Sequence, residues 1–162
     1  MRFIGIDPGK TGHIAVIDET GEFLHDSKMP LIDGELACSV MEAHLLGARC
    51  VALEQVQAMP GGGVRRPGIV STFNFGKIFG ETLACAKMCS VKILRPRPQE
   101  WQKLIYGGRK KGQDPKEVSR AVAAERHPSI ADRFQTKVSA GLADALHLAE
   151  YARRLTLYDE EK

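Results

Sequence analysis

A mixed α/β domain is the fold class this sequence predicts, and three observations carry it. The first 29 residues hold three short runs of strand character, at 2–7, 13–18 and 22–29. The turn-forming stretch Asp18-Glu19-Thr20-Gly21 joins the second run to the third, as in an antiparallel meander. The hydrophobic period then changes to that of a helix, and two more apolar runs, at 50–53 and 91–94, alternate with helical stretches. A five-stranded mixed sheet follows, with three antiparallel meander strands, two parallel strands and helices flanking them.

Each element has its own justification. The first strand is the apolar run Phe3-Ile4-Gly5-Ile6, stopped by the turn Asp7-Pro8-Gly9, and the second reads His-Ile-Ala-Val-Ile-Asp from His13. Leu36, Val40, Ala43 and Leu46 recur at helical spacing over 34–47, and Gly47 ends that helix. Cys50-Val51-Ala52-Leu53 is apolar without alternation and closes on Glu54, as expected of a strand buried on both faces. A Gly/Pro/Arg-rich loop spans 59–68. A long apolar helix over 70–88 carries Phe73, Ile78, Phe79, Leu83 and Ala86, with Gly76 and Gly80 interrupting it. The strand at 91–94 is ended by Pro96 and Pro98. A short helix at 98–104, a basic loop at 106–113, a helix at 115–126 with Pro at its first position, and an amphipathic helix at 141–157 complete the chain. Residues 1–158 read as one domain, with a short acidic tail at 159–162.

The net charge of +3 over 162 residues conceals a division. Residues 60–113 carry eleven Lys and Arg against Glu81 and Glu100, a balance of +9, which leaves −6 on the rest. A basic middle between acidic ends suits a polyanion partner, and it equally suits a solvated helix face beside a charged loop.

Several classes fall away. No run approaches the roughly 18 apolar residues of a membrane span, and Met1 leads into a strand rather than a secretory leader, so a cytoplasmic protein is expected. Cys38, Cys50, Cys85 and Cys89 form no CxxC pair, which argues against zinc and for reduced structural thiols. Neither GxxxxGK[ST] nor GxGxxG occurs, so no nucleotide cofactor is expected.

Three carboxylates stand where packing alone would not put them. Asp7 ends the first strand, Glu54 ends the central buried strand, and Asp144 lies in the last helix. If that helix crosses the ends of those strands, the acids converge, and converging carboxylates need a cation or shared protons. Oxygen donors alone suit Mg²⁺ or Mn²⁺. Taken singly, Asp7 also fits an ordinary Asp-Pro-Gly turn, and Asp144 a helix-dipole charge.

Six blocks, in order along nearly the whole chain, resemble the RuvC-type Holliday junction resolvases of the phage and prophage branch. They are Ile4-Gly5-Ile6-Asp7-Pro8-Gly9-Lys10-Thr11-Gly12, Leu53-Glu54-Gln55-Val56-Gln57-Ala58-Met59-Pro60-Gly61, Ser71-Thr72-Phe73-Asn74-Phe75-Gly76, Pro98-Gln99-Glu100-Trp101, Lys116-Glu117-Val118-Ser119-Arg120, and Ala143-Asp144-Ala145-Leu146-His147-Leu148-Ala149-Glu150. The resemblance implies an RNase H-like fold. It implies a dimeric, structure-selective endonuclease of a bacterial cell or phage-infected host, cutting branched DNA at two symmetric phosphodiester bonds with Mg²⁺ or Mn²⁺, two ions per site.

By match to the family's motifs, Asp7, Glu54 and Asp144 are the expected metal ligands, and Lys116 the expected catalytic lysine near the scissile phosphate. The match breaks at a fourth ligand: Val138-Ser139-Ala140-Gly141 offers no acid. His147, one turn after Asp144, is a candidate in its place, and equally a core histidine. Arg109, Lys110 and Lys111 suit a phosphate track, as do Lys77, Lys103 and Lys116. Arg65 and Arg66 sit on a Gly-rich loop that could enter a junction centre. Phe73, Phe75 and Phe79 suit base stacking, or core and a dimer interface along the 70–88 helix. The competing reading is an architectural junction-binding protein that has lost catalysis.

Overall fold

The computed structural model describes residues 1–55, 68–107 and 112–161. Strands β1 (Arg2–Asp7), β2 (His13–Asp18) and β3 (Phe23–Lys28) form the expected meander, and β6 (Ala48–Leu53) and β7 (Lys92–Leu94) extend it in parallel. The sheet order is β3-β2-β1-β6-β7. Two short strands, β4 (Leu31–Ile32) and β5 (Glu35–Leu36), make a separate hairpin. The helices are α1 (Cys38–Leu45), α2 (Ile69–Met88), α3 (Pro98–Tyr106), α4 (Pro115–Arg126) and α5 (Ala140–Glu160), with 3-10 turns at Pro128–Gln135 and Lys137–Ser139. This is the mixed sheet with flanking helices of the RNase H-like fold.

The pleat sorts the sheet residues into two cores, because successive side chains on a strand face opposite ways. Ile4, Ile6, Val51 and Leu53 pack with Met41 and Leu45 of α1 and Ile78 and Ala86 of α2. Phe3, Cys50 and Ala52 pack with Leu142, Ala145 and Ala149 of α5 and Trp101 of α3. Gly5 lies on this second face, and α5 crosses β1 there so closely that a β-carbon on Gly5 would lie 1.8 Å from the Ala145 carbonyl oxygen. The small residues Ala145, Ala149 and Ala152 permit that approach. Glu150, further along α5, accepts charged hydrogen bonds from Arg153 at 2.7 and 2.9 Å and from Arg154 at 2.6 Å. Arg126 of α4 reaches the Ile105 carbonyl of α3 at 2.6 Å, so the helices on this face are tied together.

The structure departs from expectation at identifiable places. The helix foreseen at 34–47 begins only at Cys38, because Asp33 (φ 52°) and Gly34 (φ 80°) turn the β4–β5 hairpin. Asp-Gly is a strong two-residue hairpin signal, since both turn positions need positive φ. Strand β6 starts two residues early, at Ala48. Helix α3 runs on to Tyr106 and ends on Gly107 in the left-handed region, as helix C-termini commonly do. Helix α5 spans Ala140–Glu160, three residues beyond its expected end at 157. All four cysteines are free, and among the described residues no helix is long and apolar enough to cross a membrane.

Candidate active site

The same alternation that builds the two cores aims the acids. Phe3, Gly5 and Asp7 share a face of β1, and Cys50, Ala52 and Glu54 share the corresponding face of β6 and its extension. The parallel ladder pairs Ile6 with Leu53, and the Glu54 backbone N–H donates to the Ile6 carbonyl at 3.1 Å, which sets Glu54 beside Asp7. Helix α5 covers that face, and its first turn lies against Asp7: a β-carbon on Gly141 would stand 3.4 Å from Asp7 Oδ2. Asp144 follows three residues later. Thus β1, β6 and α5 each contribute one carboxylate to a single region.

The three acids influence one another electrostatically. Burial, then the charges of Glu54 and Asp144, hold the Asp7 carboxyl well above the usual range, while Lys116 pulls it down. Glu54 is raised to about 6 by burial, partly offset by a hydrogen bond from Trp101, with Asp144 adding to the rise. Asp144 is raised to about 6 by burial, against the Ser119 hydroxyl and the Lys116 charge. Lys116 is exposed in the first turn of α4, whose start is fixed by Asp114 accepting from the Lys116 backbone N–H at 2.9 Å and by Pro115 at the first position. Its positive charge pulls both Asp7 and Asp144 down.

Two further residues touch the acids directly. Trp101 Nε1 donates to Glu54 Oε1 at 2.9 Å, and Ser119 Oγ donates to Asp144 Oδ1 at 2.5 Å. Both lie inside sequence blocks recognised above, but their contacts depend on how α3 and α4 dock, which local pattern does not reveal. His147 is fully buried. Its Nε2–H donates to the Ser119 carbonyl at 2.9 Å, its ring stacks on Trp101 with centroids 5.8 Å apart, and its Nδ1 has no hydrogen-bond partner among the described residues. Burial lowers its pKa to about 4, so the ring is neutral at physiological pH.

The donor chemistry fits a hard divalent cation, since three half-buried carboxylates offer oxygen only and repel one another without one. As placed, no group of three or more His, Cys, Asp or Glu side chains among the described residues is arranged to hold an ion. One oxygen of Glu54 and one of Asp144 are already engaged by protein donors.

The other expected contacts divide. Lys103 is exposed on α3, while Lys77 on α2 pairs with Glu35 at 3.4 Å. Arg65, Arg66, Arg109, Lys110 and Lys111 lie outside the described residues. Phe73 is 69% exposed, Phe75 packs against the Gly9 turn, and Phe79 lies against the core. Ile69 and Met88 are likewise exposed on α2, at 90% and 84%.

No family model and no curated protein matches this sequence. Solved structures do. Thermus thermophilus RuvC superposes with a TM-score of 0.62 and 21% identity, covering 99% of this chain and 96% of that one. The T. thermophilus RuvC structure in complex with a Holliday junction substrate matches with the same TM-score and coverage at 18% identity. The chain has the RuvC fold. At these identities the shared property is architecture, and the likeness extends over 99% of this chain.

Proposed function

We propose that this protein is a metal-dependent endonuclease that resolves Holliday junctions or related branched DNA by paired, symmetric nicks. The observation that carries this reading is the convergence of Asp7, Glu54 and Asp144, from three separate elements on one face of a RuvC fold, with the Lys116 charge acting on two of them. Asp7, Glu54 and Asp144 would hold Mg²⁺ or Mn²⁺. Bound there, two such ions would supply Lewis-acid activation of a water and charge stabilisation at the scissile phosphate.

The chain's own residues do the rest. Lys116, exposed at the start of α4, meets the negative charge that develops on the phosphate and orients the strand. Arg65, Arg66, Lys77, Lys103, Arg109, Lys110 and Lys111 hold the DNA backbone, which supports binding without reading sequence. The exposed Ile69, Val70, Phe73 and Met88 of α2 fit a twofold homodimer interface, and that symmetry would give two active sites facing two equivalent strands.

The second reading, a junction-binding protein without catalysis, draws on the absence of an acid in Val138-Ser139-Ala140-Gly141. One experiment separates the two. A labelled four-way junction and a linear duplex are incubated with Mg²⁺ or Mn²⁺ and either the wild-type protein or Asp7→Asn. Metal-dependent cutting of the junction alone, lost in the variant, supports the nuclease. Junction binding with no cutting by either protein supports the architectural role, and equal cutting by both overturns the assigned site.

A further inference from the structure

Glu54 and Asp144 belong to different elements, so holding their carboxylates in a fixed relation requires something to bridge β6 and α5. The structure contains such a bridge, and every link in it is short. The Trp101 indole N–H, from α3, holds Glu54 at 2.9 Å, and the Ser119 hydroxyl, from α4, holds Asp144 at 2.5 Å. His147 joins the two donors: its ring stacks on Trp101 at 5.8 Å with an interplanar angle of 26°, and its Nε2–H donates to the Ser119 carbonyl at 2.9 Å. Tyr106 meets both rings edge-on, its centroid 5.6 Å from that of His147 and 6.1 Å from that of Trp101. Trp101, Ser119 and His147 are all buried, so water does not readily replace any link.

We propose that Trp101, His147 and Ser119 are positioning residues, a buried relay that orients Glu54 and Asp144 together for a divalent cation. The proposal rests on the metal-dependent reading above and deepens it. A carboxylate with one oxygen held by a fixed donor cannot swing freely, and its remaining lone pairs keep a constant direction. Groups behind metal ligands act in this way, and their loss typically costs about 10–100-fold in metal affinity or activity. His147 in this role acts through Ser119 and Trp101. Its ring is locked in the Nε2–H tautomer by the carbonyl it serves.

The relay carries its own reporter. Trp101 is the chain's one tryptophan, and its indole N–H is bonded to Glu54, so its fluorescence should respond when a cation reaches that carboxylate. The experiment titrates Mg²⁺ into wild type, Ser119→Ala, Ser119→Thr and His147→Phe, following Trp101 emission, with thermal melts to establish folding and junction affinity measured without metal. The expected result is a titration midpoint raised by about 10–100-fold in Ser119→Ala. His147→Phe, which keeps the stacking and loses the N–H, should shift in the same direction, and Ser119→Thr, which restores the hydroxyl, should return close to wild type. Metal-free junction affinity should stay unchanged throughout. A folded Ser119→Ala with the wild-type midpoint and cutting rate overturns the relay, as does a Ser119→Thr variant as impaired as the alanine. Failure of the underlying reading looks different: wild type itself shows no Mg²⁺ response and no cutting.

Discussion

Asp144 binds its proton about two pH units more tightly in the folded chain than its usual value of 3.8, and the sign of that shift has a consequence for stability. Between about pH 4 and 6 the native state holds a proton that the unfolded state has released, so stability falls as pH rises through this window and stays lower above it. With the pull of Ser119 and Lys116 already included, the cost at neutral pH is on the order of 3 kcal/mol for Asp144 in the absence of a cation. Glu54 and Asp7 shift in the same direction. Metal-free Asp144→Asn should therefore melt several degrees above wild type at pH 8, with the gain vanishing toward pH 4, while cutting is abolished. Thermal melts across that range check the first statement and the junction assay the second. A cation that binds the acids should raise the wild-type melting temperature at pH 8 and leave Asp7→Asn nearly unmoved. At this scale Asp7 and Glu54 stand out in the sequence because a polar residue closing an apolar run is a local signal. Ser119 and Trp101 do not, because a buried serine or tryptophan shows its partner only once helices dock.

Among elements, the β1–α5 contact governs whether the site exists at all. Any side chain at Gly5 meets the backbone of α5, and backbone cannot rotate away as a side chain can. Gly5→Ala should therefore cost about 3 kcal/mol or more, at the upper end of overpacking penalties, and should weaken metal binding by moving Asp144 away from Asp7. Denaturant unfolding and the Trp101 titration measure the two effects separately. Helix α2 poses the opposite problem, with Ile69 and Phe73 left in water at 90% and 69% exposure. If this face joins two copies, Phe73→Glu should yield monomers by light scattering and convert paired nicks into single ones, with the metal-binding midpoint unchanged. The β1–β6 pairing is seen only in the folded sheet, whereas the three-strand meander followed from hydrophobic pattern and the turn at 18–21. The β4–β5 hairpin did not, because the helical spacing of Leu36 and Val40 outweighed the Asp33-Gly34 turn signal when the stretch was read alone.

At the scale of the whole molecule, charge is divided along the chain. The segment from 60 to 113 carries +9 and the remainder −6, and the acids of the proposed site belong to that negative remainder. A polyanion bound by the basic segment is thus drawn toward a cluster of carboxylates that would repel it, unless cations neutralise them. Two effects with opposite salt and metal dependence should result. Junction affinity should fall steeply with monovalent salt, by about 0.9 in log–log slope for each phosphate contact made by Lys or Arg on duplex arms. Replacing Arg109, Lys110 and Lys111 together by Ala should flatten that slope by about 2–3, if each holds one phosphate, and weaken junction and linear duplex alike, because backbone contacts carry no shape information. Ca²⁺ or Mg²⁺ should instead tighten wild-type binding at constant ionic strength by removing the repulsion. In Asp7→Asn, where one negative charge is already gone, that tightening should shrink. Binding isotherms at several salt concentrations, with and without the divalent ion, separate the terms. An unchanged slope in the triple variant would remove Arg109, Lys110 and Lys111 from the proposed DNA contacts and leave them to Arg65, Arg66 and the lysines of α2, α3 and α4.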